Sequence, residues 1–333
     1  MVMVSLDKYI QNRKKHMARL CDLFDGKPAD RPFVLSGVSG VSSADPYSEP
    51  EKWVQEAVDS LLIQTGALLS DKTFRPMVLE YSLYGVHFTD RLFGAEVFYS
   101  NGYWWSRKIR YPVGELPVPD LETNGTWILA KRLAKAMVDY GCEAPFICPQ
   151  VLGAPFNQAF NLYKESLLTA FYDCPDKVRR DLSVITDTLC EMHKWYRANI
   201  PPEQFQPVVA GGRCQHEGFG QMCGCATQLI SADIYNEFIA DLDDKVLSLY
   251  PNGGMYHLCG SHTQHLDRWR KMERFRAFQL NDRAADDLEQ YYNGLREDQI
   301  IYVNPTEAMT FGRIMEITGG RRIVAVTGEF NDI

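Results

Sequence analysis

The chain has 333 residues, 45% hydrophobic and 23% charged, which is the composition of a globular protein with a sizeable core and not of a disordered, collagen-like or coiled-coil chain. Thirty-five lysines and arginines against 43 acidic residues leave a net charge of −8, which argues against nucleic acid or an anionic membrane as partner. No stretch approaches the roughly 18–20 apolar residues of a membrane span, and the start MVMVSLDKYIQNRKKHM turns charged too early for a signal peptide, so a cytoplasmic protein with nine reduced cysteines is expected.

From Leu6 to Phe24, Ile10, Met17, Leu20, Leu23 and Phe24 recur at helical spacing, which predicts an amphipathic helix ended by Asp25-Gly26 and Pro28. Arg31 to Ser36 is a short apolar run stopped by Gly37, a strand followed by a Gly/Ser loop. The same grammar repeats. Helices are predicted over Ser48–Leu69, Trp127–Tyr140, Pro175–Asn199 and Ser231–Tyr250, and strands over Arg75–Tyr81, Pro145–Cys148, Pro207–Ala210 and Met255–Cys259. Ala95–Tyr99 and Tyr103–Ile109 read as a hairpin around Asn101-Gly102. Towards the end come strands over Phe275–Leu280, Ile300–Val303 and Arg322–Thr327, with helices over Ala284–Leu295 and Thr306–Thr318.

Alternation of this kind predicts parallel βα units, and about eight of them favour a single (β/α)₈ TIM barrel over an open sheet. The expected fold class is therefore α/β: one barrel domain over residues 1–333, with residues 1–28 as an N-terminal helical extension and a small β-hairpin insertion. No GxGxxG or GxxxxGK[ST] phosphate loop occurs.

In such barrels the site is built at the C-terminal ends of the strands. Those positions hold Glu80 and Tyr81, Gln150 and Asn157, the run Arg213-Cys214-Gln215-His216-Glu217, His257-Leu258-Cys259, Asn281-Asp282, Asn304 and Glu329. His257 and Cys259 are the sharpest pair, because residues i and i+2 of a strand face the same side and offer nitrogen and sulfur to one ion. The plain alternative is a buried histidine hydrogen-bonded to backbone beside a packed thiol. Cys223-Gly224-Cys225 sits in what reads as a mobile loop and offers a metal ligand pair, a redox pair or free thiols. Cys214, His216 and Glu217 offer a third ligand or an acid/base group, or else a solvated capping loop. His262 and His265 flank a helix, with His262 near the rim. Aromatics crowd residues 81–105, as hairpin packing or as the wall of a flat ligand.

Taken together, the segments GKPADRPFVLSG, YGVHFTDRLFGAEV, SADIYNEFIADLDDKV, YHLCGSH and YVNPTEAMTFGRIMEITGG resemble, in order and spacing, the uroporphyrinogen decarboxylase superfamily, from about Leu20 to Phe330. The resemblance implies a (β/α)₈ barrel and either porphyrinogen decarboxylation or zinc-dependent methyl transfer involving a corrinoid carrier protein. The decarboxylase branch carries an arginine-rich segment after the first strand, whereas this chain reads SGVSGVSSADPYSEP there, without the cations that would clamp a porphyrinogen's carboxylates. The resemblance therefore lies closer to the methyltransferase-like branch. That branch holds zinc by a His-x-Cys pair and a later cysteine. His257 and Cys259 match the first two, and the third place falls at Glu329, with Cys214, Glu217, Cys223 and Cys225 as alternatives.

The expectation is thus an enzyme, a methyltransferase with Zn²⁺ as cofactor and a corrinoid supplied by a partner protein. Glu217, Asp282 and His216 are its candidate proton-handling residues, and Glu80, Tyr81, Gln150, Asn157, Asn281 and Asn304 its candidate substrate contacts. A metal-independent decarboxylase or lyase acting on a small acid or tetrapyrrole, and a non-catalytic tetrapyrrole- or small-ligand-binding barrel, are the rival readings. A monomer or homodimer is expected.

Overall fold

The computed structural model describes residues 6–28, 31–63, 67–148, 150, 152–207 and 212–327. Its strands are β1 (Phe33–Leu35), β2 (Val38–Ser39), β3 (Thr73–Phe74), β4 (Met77–Glu80), β5 (Val97–Ser100), β6 (Tyr103–Ser106), β7 (Phe146–Cys148), β8 (Gly220–Cys223), β9 (Gly254–Leu258), β10 (Phe275–Leu280), β11 (Ile300–Val303) and β12 (Ile323–Val326). Seven form one parallel sheet in the order β3-β1-β12-β11-β10-β9-β8, and β2-β4-β7 form a second parallel sheet. The two join where β1 runs on into β2 and β3 into β4: the amides of Ser36, Val38 and Gly40 donate to Phe74, Pro76 and Val78 in succession.

Between β7 and β8 only single bridges occur, Ile147 with Phe205 and Gly153 with Cys223. A parallel α/β sheet with helices outside is therefore present, but a closed eight-stranded ladder is not found among the described residues. Of the strand expected over Pro207–Ala210, residues 208–210 lie outside the described residues, as does Glu329. Gly220–Cys223 is a strand where the sequence reading placed a mobile loop. Four residues, the first of them Gly220, are too few to show an alternation.

Strand alternation divides the core in two. Leu35, Phe74, Phe146, Met255, Ala277, Tyr302 and Val324 face inward with Leu20 and Phe24 of the first helix. Tyr256, Leu258, Phe278, Leu280, Ile301 and Val303 face the outer helices. Both faces of each strand are therefore apolar in the lower half, as parallel sheets require. The helix Leu6–Phe24 closes the end from which the strands start. There Tyr9 Oη accepts from the Met77 amide at 2.7 Å, and Arg13 Nη1 donates to the Ala144 carbonyl at 2.7 Å. The helix Pro175–Asn199 begins with proline in its first turn, where no amide is missed. The hairpin β5–β6 forms as expected. No described helix is long and apolar enough to cross a membrane.

Candidate metal centre

Met255, His257 and Cys259 share the inward side of β9, and the step from Met255 to His257 is the step from packed core to chemistry. β8 lies beside β9 with Cys223 opposite His257 in register. Cys223, Gly224 and Cys225 then turn across the strand ends. Ligand atoms of Cys223, Cys225 and His257 all lie within 4.8 Å of one another. Cys223 Sγ is 3.8 Å from Cys225 Sγ, which is 3.2 Å from Cys259 Sγ, and Cys259 Sγ is 3.1 Å from His257 Nε2. Three thiols and one imidazole thus converge from two adjacent strand ends.

The turn that carries Cys225 is tied down on every side, so it is not the mobile loop expected. The Gly224 amide donates to the His257 carbonyl, the Ala226 amide to Asn157 Oδ1 at 2.8 Å, and the Ala154 amide to the Cys223 carbonyl. Thr227 Oγ1 donates to the Gly224 carbonyl at 2.8 Å and lies 2.9 Å from His262 Nδ1. His265 Nε2 holds the Thr227 carbonyl at 2.9 Å. The two histidines expected to flank a helix therefore brace the cysteine turn from below, both fully buried. At residue 224 a Cβ would overlap the Tyr256 ring, so only glycine lets the turn pass this close.

His257 is 3% exposed, and its far nitrogen is occupied: Nδ1 bonds Gln279 Oε1, and Gln279 Nε2 bonds Asn304 Oδ1. This chain along the ends of β9, β10 and β11 keeps a ring proton on Nδ1 and turns Nε2 to the thiols. It is the orienting contact that metal-bound histidines make. Gln279 escaped the sequence reading; a glutamine inside the apolar run FRAFQL was the available signal. Arg213, also unassigned, brings Nη2 to 3.4 Å from His257 Nε2.

Protons are unequally shared in the cluster. Hydrogen bonds from Cys225 hold Cys223 and Cys259 below the ordinary thiol range, Cys259 at about 5. The same bonds push Cys225 up, Cys223 contributing most. For His257, burial is the largest effect and works against the charge, but Cys223 and Cys259 together outweigh it, raising the imidazole to about 9. Thiols whose pKa is lowered, beside an imidazole whose Nε2 faces them, form a donor set that gives up its protons when a cation binds. Soft sulfur with nitrogen suits zinc and related ions, so the residues fit the metal that the sequence resemblance implies.

The other candidates are dispersed. Cys214 is fully buried in the inner core, its thiol pushed up by burial, and does not join the cluster. His216 and Glu217 precede β8: Glu217 is exposed, and its carbonyl accepts from Asn252 Nδ2 at 3.1 Å beside the turn into β9. That is the starting end of these strands, about 15–20 Å of extended chain from Cys223, so neither reaches the thiols. The misplacement follows from treating the run as the loop after a strand when it leads into one.

Gln150 spends its amide on backbone, accepting from the Leu83 amide and donating to the Tyr81 carbonyl. Glu80 accepts from Ser39 Oγ at 2.7 Å, and Tyr81 packs edge-on against Tyr47 and Trp53. Asn281 and Asp282 follow β10: the Asn281 amide donates to the Leu258 carbonyl, and Asp282, exposed, has φ +47° and accepts from Asn281 Nδ2 at 3.1 Å. Of the aromatics at 81–105, Phe88 is core, whereas Tyr99, Tyr103 and Trp105 stand exposed on the hairpin.

Fold and site together define an α/β protein with a parallel sheet and a thiol–imidazole cluster at its strand ends. No protein-family model and no curated protein matches the sequence. Among solved structures, a methyltransferase from Methanosarcina mazei superposes with a TM-score of 0.65 at 14% identity, over 93% of this chain and 92% of that chain. A B12-independent methionine synthase from Shewanella sp. W3-18-1, in complex with selenomethionine, aligns at a TM-score of 0.46 and 11% identity, over 89% and 90%. The first likeness shows a shared fold across nearly the whole chain.

Proposed function

We propose that the protein is a zinc-dependent methyltransferase that moves a methyl group between a corrinoid carrier protein and a small thiol or methylated substrate. The observation that carries this reading is the convergence of Cys223, Cys225, His257 and Cys259 at the strand ends, on a fold shared with a protein named as a methyltransferase. His257 and Cys259 would hold the ion together with thiol from the Cys223–Cys225 turn. Zinc, when bound, keeps a substrate thiol as a nucleophilic thiolate or polarises the oxygen of a methyl ether.

The chain's own residues supply the rest. Gln279 and Asn304 hold the His257 proton on Nδ1, away from the thiols. The buried floor of Met255, Tyr302 and Val324 excludes water below the cluster. The proton would be passed to solvent through Asp282, an exposed carboxylate on the turn after β10.

The test is demethylation of methylcobinamide by zinc-loaded protein with a small thiol such as 2-mercaptoethanol, followed by the loss of methyl–cobalt absorbance. Thiol-dependent turnover that disappears in His257→Ala supports the assignment. Equal rates for wild type, His257→Ala and buffer would overturn it.

A further inference from the structure

The cluster contains one donor more than a catalytic zinc site uses. Such sites take three protein ligands and leave the fourth position open, whereas four chain ligands make a closed site. Resting on the reading of this cluster as a metal centre, we infer that the chain closes its own site. Cys223, His257 and Cys259 are the framework ligands, and in the resting site Cys225 fills the position that a catalytic centre leaves open, until a substrate thiol displaces it and passes its proton to the Cys225 sulfur.

The spacing supports a four-donor set. Bond lengths of about 2.3 Å to sulfur and 2.0–2.1 Å to nitrogen give tetrahedral edges near 3.8 Å between sulfurs and 3.5 Å from sulfur to nitrogen. Cys223 and Cys225 stand 3.8 Å apart. Cys225–Cys259 at 3.2 Å and His257–Cys259 at 3.1 Å fall within about half an ångström of those edges. Cys259 stands outside the three donors that all lie within 4.8 Å of one another, so its thiol completes the set by moving as these two contacts lengthen.

Cys225 is singled out by position. It is the sulfur that lies beside both other thiols, and it is partly exposed, whereas Cys223 is 9% exposed and its backbone is fixed in the β8–β9 ladder. Cys225 also heads the short turn Cys225–Leu229, whose anchors, Asn157 on Ala226 and His262 on Thr227, hold the backbone and leave the thiol to its two sulfur neighbours. A site built this way has no need of a ligand from the end of the chain, so Glu329 is dispensable for metal binding.

The experiment is the visible spectrum of protein loaded with cobalt(II) chloride, in which sulfur-to-cobalt charge-transfer intensity counts thiolates. Wild type should show three. Cys225→Ser and Cys259→Ser should each lose about one third of that intensity and keep a four-coordinate spectrum. Adding 2-mercaptoethanol should restore the intensity in Cys225→Ser. Glu329→Ala should match wild type. A two-thiolate spectrum unchanged by Cys225→Ser, or a changed spectrum in Glu329→Ala, overturns the closed set and leaves the metal centre standing. Absence of any cobalt spectrum in wild type overturns both.

Discussion

Asp243 offers a measurable consequence of how the wall beneath the site is built. It is fully buried on the helix Ala240–Leu247, where Tyr235 Oη donates to its Oδ2 at 2.9 Å and Tyr256, the ring against Gly224, is its other neighbour. Burial raises its pKa from 3.8 to about 7. A shift of roughly three units corresponds to about 4 kcal/mol at ~1.4 kcal/mol per unit. Because the folded-state pKa is the higher one, the stabilisation is complete below pH 4 and is lost as pH rises through about 7. Buried His193 runs the other way. Burial depresses it from 6.5 to about 4, so its contribution is complete above pH 6.5 and is lost on acidification towards 4. His262, lowered to about 3, acts in the same sense.

In wild type these slopes oppose one another between pH 4 and 7. Asp243→Asn keeps the hydrogen-bonding shape and removes only the carboxyl titration. The variant's stability relative to wild type should therefore rise by about 4 kcal/mol between pH 4 and pH 8, as an order of magnitude. Urea-unfolding curves taken across that range provide the assay. A variant whose stability tracks wild type in parallel, within about 1 kcal/mol at every pH, would refute the reasoning.

Three further outcomes are expected. Gly224→Ala drives a methyl group into the Tyr256 ring and should cost about 1–3 kcal/mol in unfolding experiments, together with weaker zinc binding; unchanged affinity would show that the turn tolerates displacement. Gln279→Leu removes the bond that orients His257 and should weaken zinc binding by about 10- to 100-fold in chelator competition, whereas Gln279→Glu should retain it. Glu217→Gln lies at the opposite end of β8 and should leave zinc affinity within about twofold of wild type, since a group so far from the donors contributes little through solvent.

Much of the fold was legible because its elements are periodic and punctuated. Pro175–Asn199 was readable to its ends from a proline at one and a β-branched exit at the other. Ile300–Val303 and Phe275–Leu280 stand out as unbroken apolar runs. Short elements were not legible: Gly220–Cys223 offers three side chains, Met222 on one face and Gln221 and Cys223 on the other, and its pairing with β9 is a long-range fact. That one omission displaced the site, since it turned the residues leading into a strand, His216 and Glu217, into the loop after one. The His257–Cys259 pair was visible because strand periodicity is local. Its meeting with Cys223 and Cys225 depends on neighbouring strands lying about 4.8 Å apart, and the Gln279–Asn304 relay depends on strand order. Neither is written in any window of the sequence.

The central claim is that this cluster holds a metal ion, and the most direct measurement is metal content per chain. Tag-free protein, purified without chelators, is compared as wild type and His257→Ala by elemental analysis. The account predicts about one zinc per wild-type chain, lost in His257→Ala while the circular-dichroism spectrum is retained. Wild-type protein that holds no metal, even after dialysis against zinc, would contradict it.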